Sequence, residues 1–599
     1  MSKFSIVEEV RNKYIDEYLE SSKKLNYTQL TEEMGVSTVF YDELPQKVMK
    51  GYPTASDMVA QNGKAYSMNE METLSEEERK KCRLRYYYMP YSHELYIGTT
   101  GSGKTTGCVE PQLRAISSQK NKPNLFITDP KGELFERNAK HLKTMGYKLF
   151  VLNFKDLTRT DKWNPLLEVY DKKMSLTRIG EGATEHYCDV PEDLELAADI
   201  SEFDGYYIEY KGKAFPDDTV LDLALRKEAD DIEITVDYLI NSLASMFIKV
   251  QSNNDKSWEY GAQDLLKGIL HCMLEDAVDP KSGFTRDMMT IRTMHQYYLA
   301  LKTPIQSNDC SMFSHKLLRN KSRETLALLS CALHNAGNTM KSYTGVFDGA
   351  IKDWIQGHIF SLTTGDTIDI ADLEQPFAFF LITRDYDKSD NLVAGLAIDW
   401  VYRTMLEKAE SGKSKRALHF LLDEFGNIPM IKDFDNKIST ARSRNMWFHL
   451  FVQSYQQLDN VYGEKVARII EDNCNVQVFL GSQSAASKET FSSICGKHYI
   501  PTLESKLDPS DNSITKVDVL PLSDLDLIEP GKMYVKRLRT PVFLAQYIRS
   551  YTCEECGAFL RNHNGLKECT PFSWETFTSP KYTYQRVTNL LEADDYDDF

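Results

Sequence analysis

The chain has 599 residues, of which 42% are hydrophobic and 27% charged, and its formal net charge is −17 at pH 7. A chain of this length predicts roughly three or four domain-sized units of an ordinary folded protein. The acidic balance excludes a surface that is basic throughout and binds nucleic acid non-specifically, although it is compatible with a small basic channel.

The N-terminal region is predicted to contain neither a secretory signal nor a membrane-spanning helix. Its first residues are polar and charged, and no window of the chain approaches ~18 consecutive apolar residues. Residues 6–31 carry apolar side chains at helical spacing, which predicts an amphipathic helix that packs on its own domain or docks on a partner. The eleven cysteines are scattered, which indicates a reducing, cytoplasmic compartment.

A glycine-rich motif follows a short apolar strand at residues 96–106, where the sequence reads YIGTTGSGKTT. Its glycines let the backbone fold tightly with its N–H groups pointing at an anion, and the helix that follows adds its dipole. Lys104 can reach the β- and γ-phosphates of ATP, and the Thr105 hydroxyl can bind Mg²⁺. The predicted ATP-binding residues of this loop are Gly98, Thr99, Thr100, Gly101, Ser102, Gly103, Lys104, Thr105 and Thr106.

Several further apolar segments are each followed by a polar residue or a glycine. Continuous apolar runs separated by helical patterns indicate parallel strands that are buried on both faces. Ligands bind at the carboxyl ends of such strands, so the residues after them are expected to converge on the nucleotide. These residues are Asp129, Asn153, Thr383, Asp423, Gln453 and Gly481.

The strand pattern disappears over residues 167–365, where helical patterns take over, as in 262–274 and 324–333. The sequence therefore predicts an α/β nucleotide-binding domain with a mostly parallel sheet and an inserted all-α domain. The predicted boundaries are a helical and β region at 1–90, the nucleotide-binding domain at 91–166 and 366–550, the all-α domain at 167–365, and a C-terminal extension with an acidic tail at 551–599.

Two adjacent carboxylates at the end of one apolar strand supply the groups that a phosphate loop needs. Asp423 is predicted to hold Mg²⁺, and Glu424 to orient and deprotonate the attacking water. Gln453, at the end of the next strand, can contact both the γ-phosphate and the water. Arg442 lies between the two strands, where an arginine can stabilise the transition state of a neighbouring subunit. Two alternatives remain: Arg444, two residues away, fills this role, or the segment is an ordinary solvated helix end.

A cluster near the C-terminus has the residue types of a small zinc site. The two alternatives are a zinc knuckle and ordinary cytoplasmic thiols. The candidate ligands are Cys553, Cys556, His563 and Cys569.

Several strings of the sequence resemble the TraG/TraD-type coupling ATPases of type IV secretion and conjugation. The order of the strings matches that of the family, and the resemblance spans roughly residues 90–500. Besides the phosphate loop, the strings are Asp129-Pro130-Lys131-Gly132-Glu133-Leu134, Trp163-Asn164-Pro165-Leu166, residues 368–373, residues 422–425 and residues 453–458.

The resemblance implies a RecA-like P-loop ATPase with an inserted all-α domain, active as a homo-hexamer. It implies ATP-driven delivery of single-stranded DNA, with its attached relaxase and accessory transfer proteins, to a secretion channel that has its own ATPase. The family usually has N-terminal membrane helices. We therefore expect a soluble subtype in the cytoplasm that a separate membrane-anchor protein recruits to the cytoplasmic face of the membrane.

The family's functional residues match positions in this chain. Lys104 and Thr105 match the phosphate-loop pair, and Asp423 and Glu424 match the magnesium and water-activating carboxylates. Gln453 matches the sensor, and Arg442 best matches the intersubunit arginine. Asp129, at a strand end beside the loop, is expected to lie close to the magnesium ion.

Two other functions remain open from the sequence. One is a double-stranded DNA translocase of the FtsK or HerA type, which the strings at 129–134 and 163–166 disfavour. The other is a platform that recruits substrate and is gated by ATP rather than driven as a motor.

Overall fold

The structure is a computed structural model, and it describes most of the chain from Tyr91 to Gln546. Before Tyr91 it describes residues 36–42, 58–59, 65–66, 83–84 and 87–90. The gaps after Tyr91 are at 118, 120, 192–193, 249, 251–255, 303–315, 319, 334–337, 356, 371–373, 385–389, 413–415, 502–513 and 540–541. The predicted helix at 6–31 and the predicted extension at 551–599 lie outside the described residues.

The strands are numbered here in chain order. They are β1 (Val36–Asp42), β2 (Met58–Val59), β3 (Ala65–Tyr66), β4 (Arg83–Leu84), β5 (Tyr87–Pro90), β6 (Glu94–Gly98), β7 (Asn124–Thr128), β8 (Lys148–Asn153), β9 (Thr184–His186), β10 (Glu195–Leu196), β11 (Tyr207–Tyr210), β12 (Lys213–Phe215), β13 (Phe377–Ile382), β14 (Leu418–Leu422), β15 (Met446–Val452), β16 (Val476–Gly481), β17 (Lys497–Pro501), β18 (Ile514–Asp518), β19 (Lys532–Arg537) and β20 (Phe543–Gln546).

The α-helices are numbered in the same way. They are α1 (Glu110–Ser117), α2 (Glu133–Thr144), α3 (Leu167–Met174), α4 (Asp218–Phe247), α5 (Ser257–Val278), α6 (Ile291–Lys302), α7 (Arg323–Leu333), α8 (Asn338–Trp354), α9 (Gly357–Thr363), α10 (Asp390–Glu410), α11 (Phe434–Ala441), α12 (Tyr455–Tyr462), α13 (Glu464–Asn473), α14 (Ala485–Cys495) and α15 (Leu522–Asp526).

The chain divides into two compact units. The first contains the described parts of residues 1–161 and 368–579, and the second contains those of residues 162–367. The chain therefore leaves the first unit after β8 and returns to it before β13.

The first unit is built on a large sheet of order β5-β1-β20-β19-β16-β6-β15-β14-β7-β13-β8. The strands from β16 to β8 run parallel, and the remaining strands add to β16 in antiparallel pairs. One strand, β15, separates the phosphate-loop strand β6 from β14, the strand that ends before Asp423. This is the RecA-like arrangement, and it confirms the predicted fold class.

Burial on both faces explains why the parallel strands are continuous apolar runs. All residues of β7, β13, β14 and β15 are buried. Aromatic rings stack across neighbouring strands, with Phe126 4.9 Å from Phe379 and Phe420 4.6 Å from Phe448 between ring centroids. The carboxyl ends of these strands consequently form one rigid edge.

The second unit is mainly helical, and the predicted helical segments at 262–274 and 324–333 fall within α5 and α7. It also contains a four-stranded sheet of order β10-β12-β11-β9, so the prediction of an all-α insertion needs this correction. Its strands have two to four residues, too few to show a period of two. Lys211 and Gly212 join β11 to β12 with φ of 51° and 73°, as in a tight hairpin turn.

The Trp163-Asn164-Pro165-Leu166 string has a structural role in the second unit. Trp163 is buried, and its backbone N–H donates to the Leu362 carbonyl at 3.0 Å. The Asn164 amide donates to the Met289 carbonyl at 2.7 Å and accepts from the Leu166 N–H at 3.0 Å. The string thus ties the start of the unit to two distant segments.

Within the part of the chain that the structure describes, no helix combines the length and the apolarity that a bilayer crossing requires.

Candidate nucleotide site

The phosphate loop leaves β6 at Gly98 and enters a π-helical turn, Thr105–Val109, that continues into α1. Gly101 and Gly103 have φ of 82° and 92°, a left-handed conformation that favours glycine. A Cβ atom at Gly98 would lie 2.5 Å from the Ser102 hydroxyl oxygen. The loop therefore needs glycine at these positions to close around an anion.

Lys104 lies within the loop and is only 5% exposed. Its ammonium donates to the carbonyls of Gly98 and Thr99. Burial lowers the pKa of Lys104, while the nearby carboxylates of Glu424 and Asp423 raise it. The side chain is thus fixed against the loop and faces the two carboxylates.

Asp423 lies across from the loop at the end of β14. Its Oδ2 atom accepts from the Thr105 hydroxyl at 3.0 Å, and its Oδ1 atom accepts from the Glu424 N–H at 3.0 Å. The Thr128 hydroxyl donates to the Asp423 carbonyl at 2.8 Å. Burial, followed by the charge of Glu424, raises the pKa of Asp423 to about 6.

The residues present fit a magnesium ion. A threonine hydroxyl and a buried carboxylate, already in contact, are hard oxygen donors of the kind that Mg²⁺ takes alongside water and phosphate oxygens. Thr105 and Asp423 would therefore hold the ion, as the sequence predicted.

Glu424 and Gln453 are joined directly. The Gln453 side-chain amide donates to Glu424 Oε2 at 2.9 Å, and the Asn427 amide donates to the same atom at 3.3 Å. Glu424 has φ of 52° and ψ of 40°, which is uncommon for a residue with a side chain. Such strain concentrates at functional sites, where the surroundings hold it in place.

Gln457 supports this pair and was not singled out from the sequence. Its side-chain oxygen accepts from the Gln453 N–H at 2.9 Å. Gly426 makes room for it, because a Cβ atom at that position would lie 2.4 Å from the same oxygen. Gln457 belongs to the Gln453–Leu458 string, which was the available signal.

Asp129 is buried just after the end of β7, and its carboxylate accepts hydrogen bonds from backbone N–H groups. Oδ1 accepts from the Gly132 N–H at 2.9 Å, and Oδ2 accepts from the Phe135 N–H at 2.8 Å. Burial raises the pKa of Asp129 to about 7, against these backbone bonds. These two bonds fix the start of α2, and the predicted nucleotide-binding role of Asp129 stays a prediction.

Arg442 and Arg444 lie at the amino ends of the parallel strands, opposite the ends that carry the phosphate loop. They precede β15, whereas Gln453 follows it, and a strand of this length spans about 20 Å. Arg444 is 3.2 Å from the Glu410 carboxylate, whereas the Arg442 side chain is exposed and has no hydrogen bond or ion pair with the described residues. Neither arginine is near the phosphate loop of its own subunit.

A cavity of about 360 Å³ opens beside the phosphate loop. It is lined by residues 99–102, 480–483 and 525–531 except Leu527, together with Lys488. The segment 525–531 has no motif that could have been identified from the sequence, because it contributes to the site only through folding. The predicted zinc ligands from Cys553 to Cys569 lie outside the described residues.

With this geometry established, comparison with known proteins assigns the family. The family described as "Type IV secretory system Conjugative DNA transfer" matches residues 54–507. The chain belongs to this family.

Curated relatives agree with the assignment at low identity. Protein VirD4 of Rhizobium rhizogenes is 22% identical over 413 residues, which is 68% of this chain and 49% of that protein. The coupling protein TraD of Escherichia coli K12 is 20% identical over 248 residues, or 41% of this chain and 32% of that protein. The chain thus spans about half the length of the VirD4 relatives that it matches.

Solved structures of similar shape include the unbound conjugative coupling protein TrwBdeltaN70, at a TM-score of 0.49 and 16% identity, covering 76% of this chain and 84% of that one. VirB4 of Thermoanaerobacter pseudethanolicus has a TM-score of 0.41 and 10% identity, covering 84% and 97%. Because these TM-scores are below 0.5, the fold class is assigned from the strand order of the sheet and not from these structures.

Proposed function

We propose that this protein is an ATP-driven coupling protein of a conjugative type IV secretion system. The observation that carries the proposal is the convergence of Lys104, Thr105, Asp423, Glu424 and Gln453 at one sheet edge, in a chain of the conjugative DNA transfer family. The alternative of a double-stranded DNA translocase has no comparable support.

The phosphates of ATP would lie in the loop, with its amides and Lys104 around the β- and γ-phosphates. Mg²⁺ held by Thr105 and Asp423 would neutralise part of the phosphate charge. The neighbouring cavity leaves room for the nucleoside. A phosphate-loop ATPase gains most of its rate from such positioning of charge.

Glu424 would orient the attacking water and take its proton. Gln453 is held to the same carboxylate at 2.9 Å, so a change at the γ-phosphate is passed to β15. The strand links this edge of the sheet to Arg442 at its other end. Hydrolysis in one subunit is therefore coupled to the position of the arginine that faces a neighbour.

The proposed partners follow from the family. The substrate is single-stranded DNA with its attached relaxase and accessory transfer proteins, and the recipient is the secretion channel with its ATPase. The active form is a homo-hexamer on the cytoplasmic face of the membrane, recruited by a separate membrane-anchor protein. The net charge of −17 disfavours a surface that is basic throughout, and it is compatible with DNA contact in a small basic channel.

The Lys104→Ala variant tests whether transfer depends on nucleotide binding, as the motor requires. Conjugative transfer and relaxase co-purification are measured in cells that carry the variant as their only copy. The motor predicts loss of transfer with relaxase binding retained, because only phosphate binding is removed. Transfer at the wild-type frequency would overturn the motor. Lys140→Ala, which removes an exposed lysine from α2, is the matched control.

A further inference from the structure

Lys131 follows β7, the strand adjacent to β14, at the same sheet edge as the phosphate loop. Thr128 is paired with Leu422, and the Thr128 hydroxyl reaches the Asp423 carbonyl at 2.8 Å. Neighbouring strands lie about 4.8 Å apart. The backbone that leads to Lys131 therefore leaves the sheet beside the Asp423 and Glu424 carboxylates.

The backbone at Lys131 is fixed from both sides. The Asp129 carboxylate holds the N–H groups of Gly132 and Phe135, and Gly132 has φ of 79°, which allows the sharp turn. The Lys155 ammonium donates to the Lys131 carbonyl at 2.8 Å. The side chain of Lys131 is thus presented from a defined position.

The Lys131 ammonium does not contribute to holding the described part of the structure together. Its side chain is exposed and makes no hydrogen bond or ion pair within the described part of the chain. The charges of Lys131, Glu424 and Asp423 all act on the Lys104 ammonium, so these four groups face one small region. Two of the four are ammonium groups, which form charged hydrogen bonds to phosphate oxygens.

We propose that Lys131 is a second phosphate-binding cation, whose ammonium contacts the terminal phosphate of Mg·ATP. The inference rests on the proposed function, since it requires nucleotide in the loop. Lys104 emerges from the loop, whereas Lys131 stands on the side of the magnesium and water-activating carboxylates, where the γ-phosphate would lie. Because ADP lacks this phosphate, Lys131 distinguishes the two nucleotides.

The test compares affinities for Mg·ADP and for a non-hydrolysable Mg·ATP analogue by calorimetry on the full chain. Lys131→Met removes the charge and keeps the length of the stem. We expect it to weaken binding of the ATP analogue about 10-fold and to change ADP binding less than about 2-fold, as for the loss of one charged hydrogen bond. Lys131→Arg should recover most of the loss.

Lys140→Met is the matched control, since it removes one exposed positive charge from α2, away from the phosphate loop. Equal weakening of both nucleotides by Lys131→Met, or no weakening of either, would overturn the role of Lys131. Failure of the wild-type protein to bind Mg·ADP would instead overturn the nucleotide site itself. The two failures are therefore distinguishable.

Discussion

Glu424 is held in place both by its backbone conformation and by hydrogen bonds to its side chain. Its backbone is left-handed, and its carboxylate accepts from two side-chain amides, those of Gln453 and Asn427. The amides fix where the carboxylate points, and the strained backbone places it just beyond the last residue of β14. Correct placement of a base to within about 1 Å decides much of its catalytic effect.

Gly426→Ala tests whether this placement matters. The added Cβ would lie 2.4 Å from Oε1 and 2.7 Å from Cβ of Gln457, so Gln457 must move away from the Gln453 N–H. We expect ATP hydrolysis to fall about 10- to 100-fold with Mg·ADP binding unchanged. Steady-state hydrolysis and ADP titration measure the two effects.

Gly349→Ala is the control for that substitution, because nothing lies within 4 Å of the added atom. It should leave hydrolysis at the wild-type rate. Normal hydrolysis in Gly426→Ala would show that the Gln457 contact plays no part in catalysis.

The sequence predicted which chemical groups meet at this edge, but not how they are held. The spacing of the phosphate loop indicates Lys104 and Thr105, and a carboxylate after an apolar strand indicates Asp423. The structure brings these three together. Gln457 and the cavity segment 525–531 were missed because their contacts join distant parts of the chain, and no local pattern reports such contacts.

At the scale of elements, the parallel strands carry a buried polar network as well as the nucleotide site. Glu94 on β6 accepts from the Tyr96 hydroxyl at 2.8 Å and from the Gln112 amide at 2.7 Å. His449 on β15 is 2.9 Å from both Gln112 and His419. These buried contacts join β6, β15 and β14 at defined positions, and they help to fix the register of the strands, which periodicity alone leaves open.

Helix α13 offers a pH test of packing in the same unit. Glu471 is 3% exposed, and burial raises its pKa from 4.5 to about 7, although the Arg468 guanidinium at 2.5 Å opposes the shift. A carboxyl with a raised folded-state pKa stabilises the fold fully below about 4.5. This contribution is lost as the pH rises through about 7.

Glu471→Gln should therefore increase the free energy of unfolding at pH 8, by up to about 3 kcal/mol, and change it much less at pH 5. Denaturant unfolding at both pH values measures the difference. Glu464→Gln, at an exposed position of the same helix, is the matched control for the loss of one carboxylate. A gain for Glu471→Gln that is equal at both pH values would contradict the burial argument.

At the scale of the whole molecule, the proposed catalytic role of Arg442 depends on a neighbouring subunit. About 20 Å of strand separates it from the phosphate-loop edge of its own subunit. In the proposed homo-hexamer, Arg442 would act on the nucleotide of the next subunit through a heterologous interface, the type of interface from which rings are built. Arg444, which is paired with Glu410, is less available.

Mixing inactive variants tests this shared site. Arg442→Ala keeps its own carboxylates, and Glu424→Gln keeps its arginine. In an equal mixture about a quarter of the interfaces would combine both intact halves, so hydrolysis should recover in part. Absence of recovery, despite assembly of the mixture, would contradict action across the interface.

In the second unit, the sequence predicted helices but missed a small β-sheet. Helices α5 and α7 were predicted from their periodicity, but the sheet of β9 to β12 was not, because strands of two to four residues carry no pattern. The only sequence signal for the hairpin between β11 and β12 is the pair Lys211-Gly212 in its turn. Short strands form because they pair with distant segments, so the local sequence predicts them poorly.

The central claim is that the loop, its lysine and the two carboxylates form a site for Mg·ATP. Calorimetric titration of the wild-type chain and of Lys104→Ala with Mg·ATP, with and without single-stranded DNA, tests it most directly. We predict binding by the wild type and a loss of affinity of about 100-fold in the variant. Equal affinities, or no binding by the wild type under either condition, would contradict the account.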